Sequence, residues 1–300
     1  MTAELSCYTA NLVALLESEV PDVRGRLAHA VRLRVRADGV PGFCHHDRFD
    51  TLPGGQELGY RAADSWAAAR EGLRGELREA AAVLAVGNTR YLPWSPNHGV
   101  ADVPHWLLLH GLHDGRWEVR DDFQALLPRG EQLPYRGRMS DDELRRALSP
   151  PGTLPPEVSA RDTYALGHPV PTPSAARYRW LARQQARPPA PRPGRWLDDP
   201  AEALCYLADR FSADPAALAR HVDDLWAVAR HQRHRLLRLT EDGAVPPAPA
   251  EAAARGWAAL PRTLRFAADS AARGNPRPGL VARAFGELTA TMTTAIREVR

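Results

Sequence analysis

Lysine is missing from this 300-residue chain, so all 39 basic residues are arginine. Together with abundant alanine and proline, this indicates a GC-rich bacterial coding bias and not a function. Acidic residues number 36, and the formal net charge of +3 is too small to call for nucleic acid. No run of arginines interleaves with aromatics in the way single-strand binders require. Cysteine is scarce too: three is an odd number, which argues against a disulfide framework and for a reducing cytoplasm. No apolar run reaches membrane-spanning length, and the opening residues carry no signal-peptide pattern, so a cytoplasmic protein without membrane contact is expected. The segment Gly42-Phe43-Cys44-His45-His46-Asp47 has metal-ligand residue types, but they are adjacent and no second pair stands at zinc spacing. It reads as a His-rich loop near a site, with no metal expected. There is no internal repeat. What remains is an ordinary globular composition, 44% hydrophobic and 25% charged, long enough for one large or two ordinary domains.

Periodicity divides the chain into an α+β part and a helical part. Leu12, Leu15 and Leu16 repeat at helical spacing behind Ser6, a residue type that caps helices. Residues 30–36 alternate apolar and polar as a half-buried strand does. Residues 61–82 read as a helix with Trp66, Leu73, Leu77 and Ala80 on one face, and 82–87 as a buried strand ending at Gly87. Residues 104–112 and 117–121 read as a hairpin about Asp114-Gly115. Ser140-Asp141-Asp142-Glu143 is a capping box opening a helix. Residues 151–195 are rich in Pro, Ala and Arg and read as a linker with one helical patch, Ala175 to Gln185. Four helices are expected beyond it, at about 200–212, 214–240, 250–273 and 279–298, two of them announced by Asp-Pro. The predicted organisation is a domain over 1–150, a linker over 151–195 and an all-α domain over 196–300.

Chemistry concentrates in the first part. A thiol at Cys7, on a helix start, meets unpaired backbone N–H groups and the positive end of the helix dipole, both of which favour thiolate, the nucleophilic form. His105 opens the first hairpin strand, and the second returns an aspartate toward it. Nucleophile, imidazole and carboxylate are the parts of a thiol triad. The acid has two candidates. A strict two-residue turn sets His105 opposite position 124 and gives Asp122 its face; a three-residue loop, or a bulge at Gly111, shifts the pairing by one and gives that face to Asp121. Glycine inside a strand often marks a bulge, which favours Asp121. Asn11 reads as a polar residue on a helix face. His221, His231 and His234 share a long helix without a convincing ligand set, and Cys205 reads as helix core.

The segment Ala85-Val86-Gly87-Asn88-Thr89-Arg90-Tyr91-Leu92-Pro93-Trp94, the hairpin from Pro104 to Phe123 and the segment Gly137–Leu148 with its capped helix resemble the N-terminal domain of the butirosin-biosynthesis acyltransferase type (BtrH-like proteins), and more distantly bacteriocin-processing cysteine peptidases. The resemblance covers roughly residues 5–150 and implies a papain-like domain, its N-terminal helix packed on an antiparallel sheet, with Cys7, His105 and Asp121 as triad. The peptidases carry a Gln about six residues before the Cys; Met1 stands there in this chain, so an oxyanion or substrate contact falls to Asn88, Tyr91 or a backbone N–H. The activity implied is acyl transfer from an acyl carrier protein to a small-molecule amine, the acyl group carried on a phosphopantetheine arm and no cofactor used. The arginines Arg177, Arg179, Arg183 and Arg187 could attract such a carrier. A peptidase or amidase with the same triad, and a non-catalytic scaffold, are the alternatives; oligomerisation is left open.

Overall fold

The computed structural model describes residues 5–52 and 54–297. The elements of the first half, in chain order, are α1 (Cys7–Leu16), α2 (Val23–Ala30), β1 (Val31–Arg36), β2 (Gly42–His46), β3 (Gln56–Ala63), α3 (Trp66–Glu79), β4 (Val83–Asn88), β5 (Pro104–His113), β6 (Arg116–Asp121), β7 (Ala125–Leu127), β8 (Gly130–Gln132) and β9 (Tyr135–Met139). There follow α4 (Asp141–Ala147), α5 (Pro156–Tyr164), β10 (Tyr178–Gln185), β11 (Trp196–Leu197), α6 (Pro200–Ala213), α7 (Pro215–Glu241), α8 (Pro247–Ala272) and α9 (Pro278–Arg297). The fold is mixed α+β with antiparallel sheets and a helical C-terminal region.

Two compact units form, and neither is one continuous stretch. Of the described residues, the first takes 5–23 and those from Asp50 to Ala190; the second takes Arg24–Phe49 and 191–297. In the first, six strands pair antiparallel in the order β3-β10-β4-β5-β6-β9. Its core gathers Leu73 of α3, Val83 and Ala85 of β4, Leu107 and Leu109 of β5, Trp117 and Val119 of β6, and Leu144 of α4. Helix α1 packs on β5 and β4. It is capped as its sequence indicates, with Ser6 accepting from Thr9 N at 3.3 Å. Helix α4 carries the full capping box of Ser140 and Glu143.

Strand β10 overturns the linker reading of 151–195. Its eight residues pair with all of β3, from Tyr178↔Ala63 to Gln185↔Gln56, and its middle pairs with β4. Residues 175–185 therefore contain a strand where a helical patch is expected. Strand β3 is likewise unanticipated, and the helix read over 61–82 begins only at Trp66. In both places a partner distant in sequence supplies the ladder and overrides Ala, Arg and Gln residues of weak strand preference.

The second unit departs from an all-α domain because β1, β2 and β11 form a small sheet in the order β11-β1-β2. Val31, Leu33 and Val35 face inward along β1 and its three arginines alternate with them. Leu33, Val35 and Phe43 join a core with Leu204, Phe211, Leu225, Trp257 and Phe285. Helices α6 to α9 lie close to where periodicity places them. Asp199 and Asp214 cap α6 and α7 through Glu202 N at 2.8 Å and Ala217 N at 2.9 Å, each with proline in the first turn. Cys205 is exposed, not core. No helix among the described residues is long and apolar enough to cross a membrane.

Candidate active site

The β5–β6 hairpin decides where the triad residues fall. Asp114 and Gly115 both adopt positive φ, 50° and 73°, as a two-residue hairpin turn of right-handed strands demands. The register is His113↔Arg116 to Gly111↔Glu118, then slips at Gly111 to Leu109↔Val119 and Leu108↔Arg120. That bulge changes which side chains share a face. Continued to the strand end, the slipped register sets His105 opposite position 123, so that Asp121 shares its face. His105 Nε2 lies 2.7 Å from Asp121 Oδ2, and the ring meets Phe123 edge-on at 5.6 Å. Asp122 faces away, its carboxylate bonded to Arg120.

Asp121 is fully buried and accepts five N–H groups. Oδ2 takes His105 Nε2, Trp94 Nε1 at 2.8 Å and Gln132 Nε2 at 3.0 Å; Oδ1 takes Asn11 Nδ2 at 2.9 Å and Phe123 N at 3.0 Å. Burial opposes its charge, but the His105 charge and these donors prevail and hold the carboxyl below its usual range. Burial opposes a charge on His105 as well; the charges of Asp121 and Cys7, with hydrogen bonds to both, overcome this and push the imidazole up to about 10. Because Nε2 is occupied by Asp121, Nδ1 is the ring nitrogen left for the thiol. Cys7 itself is half-buried at the first turn of α1, whereas His105 is 2% exposed.

Asn11 is a structural hub and not a mere helix-face residue. It is fully buried, and its amide bonds Cys7 O at 3.1 Å, Trp106 O at 2.9 Å and Asp121 Oδ1, while its Oδ1 accepts Asp122 N at 2.9 Å. One side chain thereby ties the helix that Cys7 opens to both strands of the hairpin. Its place four residues after Cys7, on the same helix face, was the available signal. Trp94 and Gln132 had no comparable signal. Trp94 also stacks on Tyr135 at 3.7 Å, which walls the acid on that side.

Asn88 does not reach the triad. Its amide donates to Asp102 Oδ1 at 2.8 Å and Ser149 O at 3.4 Å, and its Oδ1 accepts Arg90 N, capping the turn at Thr89–Tyr91. Tyr91 is exposed and makes no hydrogen bond among the described residues. Met1, the position of the peptidases' Gln, lies outside the described residues. The arginines read as a carrier-attracting row are largely spent within the unit: Arg177 pairs with Asp64, Arg179 with Asp162 and Arg183 with Glu19. A cavity of about 680 Å³ lined by Leu15, Leu108, Glu118, Arg120 and Arg136 contains none of the triad side chains. The histidines of Gly42–His46 form a strand of the second unit, not a loop of this one, and no cluster of three or more His, Cys, Asp or Glu among the described residues could hold a metal ion.

No family model matches the sequence, and no curated protein matches it.

Proposed function

We propose that the first unit is a papain-like cysteine acyltransferase, with Cys7 as nucleophile, His105 as acid and base, and Asp121 as its orienting carboxylate. The observation that carries this reading is the buried His105–Asp121 pair, 2.7 Å apart, with Cys7 at the first turn of α1 among the charges that raise the imidazole. The Cys7 sulfur attacks the carbonyl carbon of an acyl thioester. The tetrahedral intermediate collapses, the departing thiolate takes the proton of His105, and an acyl-Cys7 thioester remains. An amine then attacks that carbonyl, His105 accepts the amine proton, and the Cys7 thiolate leaves with the amide formed. The electrostatics suit both halves. Part of what raises His105 is the Cys7 charge. Acylation removes that charge, lowers the imidazole and favours the neutral ring that can accept the amine proton. The backbone N–H groups at the start of α1 are the donors best placed for the oxyanion, since the Asn88 amide is committed elsewhere. A carrier protein as donor and a small amine as acceptor complete the proposal.

The test is intact-protein mass spectrometry after incubation with acyl-pantetheine thioesters. A one-acyl adduct on the native protein, absent from Cys7→Ala and discharged by added amine, is expected. No adduct with any thioester while test peptides are cleaved would replace acyl transfer by amide hydrolysis.

A further inference from the structure

Behind the triad lies a second buried polar cluster, built from residues that the chemistry above does not use. Tyr8 follows Cys7 and Trp106 follows His105, and these two rings stack at 4.7 Å with 23° between their planes. Tyr60 of β3 meets the same indole edge-on at 6.4 Å. The Tyr8 hydroxyl donates to Asp162 Oδ1, the Tyr60 hydroxyl donates to Asp162 O at 3.4 Å, and Arg179 Nη1 donates to Asp162 Oδ2 at 2.7 Å. Asp162 is 1% and Arg179 3% exposed. Burial and the neighbouring Asp162 charge both push the Tyr8 phenol well above its usual range, so it stays a donor. A buried ion pair is weak evidence for stability, because desolvation offsets most of its attraction. Its position is what informs: α5 and β10 bring it from the 151–195 stretch to the residue next to the nucleophile.

We propose that Tyr8 and Trp106 are positioning residues, a stacked clamp, stabilised by Asp162 and Arg179, that sets the distance between the Cys7 sulfur and the His105 ring. This deepens the acyl-transfer reading and rests on it for the identity of the reacting pair. The stack joins the two backbones one residue away from each reacting side chain, on α1 and β5. Rotation of the first turn of α1 or a slide along β5 would have to break ring contact and expose a dry carboxylate. The stacked rings fix the spacing; the hydrogen bond to Asp162 adds stability to the stack without setting its place. Misplacement of a nucleophile by about 1 Å is enough to cost two orders of magnitude in rate.

The two roles separate in the pair Tyr8→Phe and Tyr8→Leu, made in the full chain. Three quantities are read: the melting temperature, the rate at which iodoacetamide modifies the Cys7 peptide, and the NMR titration midpoint of His105. Tyr8→Phe keeps the ring and loses the hydroxyl. Its melting temperature should fall while Cys7 alkylation stays within about threefold of the native rate. Tyr8→Leu loses the ring: alkylation should fall by about tenfold or more, and the His105 midpoint should move down as the thiolate moves away. Should Tyr8→Leu not fold, Tyr8→Met removes the ring with a longer side chain and is read in the same way. Native alkylation and an unmoved His105 midpoint in the ring-less variant overturn the proposal; so does an equal loss in Tyr8→Phe, which would make the hydroxyl, not the stack, the determinant. Since alkylation needs no acyl donor, failure to find acyl transfer would sink the preceding reading and leave this one standing.

Discussion

Five N–H groups on one fully buried carboxylate mean that Asp121 is held in a single orientation and that its charge is strongly stabilised. Loss of that charge should be felt first by its partner. In Asp121→Asn the His105 titration midpoint should drop from about 10 toward the ordinary 6.5, measurable by NMR. Acylation of Cys7 should slow by about 10²- to 10⁴-fold, the usual worth of a positioned acid–base group. The same shifts define a pH window for stability. His105 is raised on folding, so its contribution is complete below about 6.5 and is lost as pH rises through about 10. Asp121 is lowered on folding, so its contribution is present above 3.8 and disappears as pH falls through its depressed value. Unfolding curves of Asp121→Asn and the native chain should therefore differ most between 3.8 and about 6.5, draw closer as pH rises through about 10, and draw closer again as pH falls through the depressed Asp121 value. Asn11→Leu tests the hub separately. It takes the Asn11 partner from the part-buried Asp122 N–H and the buried Trp106 carbonyl, at about 1–3 kcal/mol for each group left unpaired. Denaturant unfolding should show the loss, and Cys7 alkylation should slow with it.

At the scale of elements, β2 and α7 are joined by imidazoles. His45 stacks on His231 at 5.0 Å, His46 lies 6.0 Å from the same ring, and His234 bonds the Arg24 carbonyl at 3.0 Å. Burial first, then the neighbouring His45 and His46, push His231 well below its usual range; burial also lowers His234, against the opposing bond to the Arg24 carbonyl, with the Arg24 and Arg238 charges adding to the lowering. Both are neutral in the fold and take up protons on unfolding, so their contribution is full above 6.5 and is lost as pH falls below it. The helical signal of the second unit should melt several degrees lower at pH 5 than at pH 7.5, and His231→Phe should shrink that difference in a thermal scan followed by circular dichroism. What was legible in the sequence follows the same division between local and non-local chemistry. Ser6, Ser140, Asp199 and Asp214 cap helices within four residues of themselves, so the starts of α1, α4, α6 and α7 could be read directly. Cys7 and His105 stood out because each opens an element. Gly111 carried the bulge because glycine in a strand has few other uses. Strand β10 stayed hidden because Tyr178–Gln185 has no alternation of its own; β3 and β4 make it a strand. The donors to Asp121 from Trp94 and Gln132 stayed hidden for the same reason.

On the scale of the whole molecule, the chain leaves the first unit at Val23, returns at Asp50 and leaves again after Ala190. A division into consecutive domains therefore cuts both units. Residues 1–150 alone would lack β10, which in the intact sheet stands between β3 and β4. Without it, β3 has no ladder partner in that sheet, and the β4 edge opens to water or to another chain. Asp162 and Arg179 would be gone, leaving the Tyr8 hydroxyl without its carboxylate partner, one residue from Cys7. The stranded segment 24–49 would keep Leu33, Val35 and Phe43 without Leu204, Phe211 and Leu225, the side chains that bury them. Residues 196–300 alone would lack β1 and β2, and with them those same three apolar side chains. Both fragments should be recovered as aggregates or as partly helical chains with broad, non-cooperative melts. A shortened chain joining residues 1–23 to 50–190 through a short flexible linker preserves every strand of the six-stranded sheet and the entire Asp121 network. It should melt cooperatively and alkylate Cys7 at the native rate. Cooperative melting of 1–150 alone, with native Cys7 reactivity, would show that β10 is dispensable to the site.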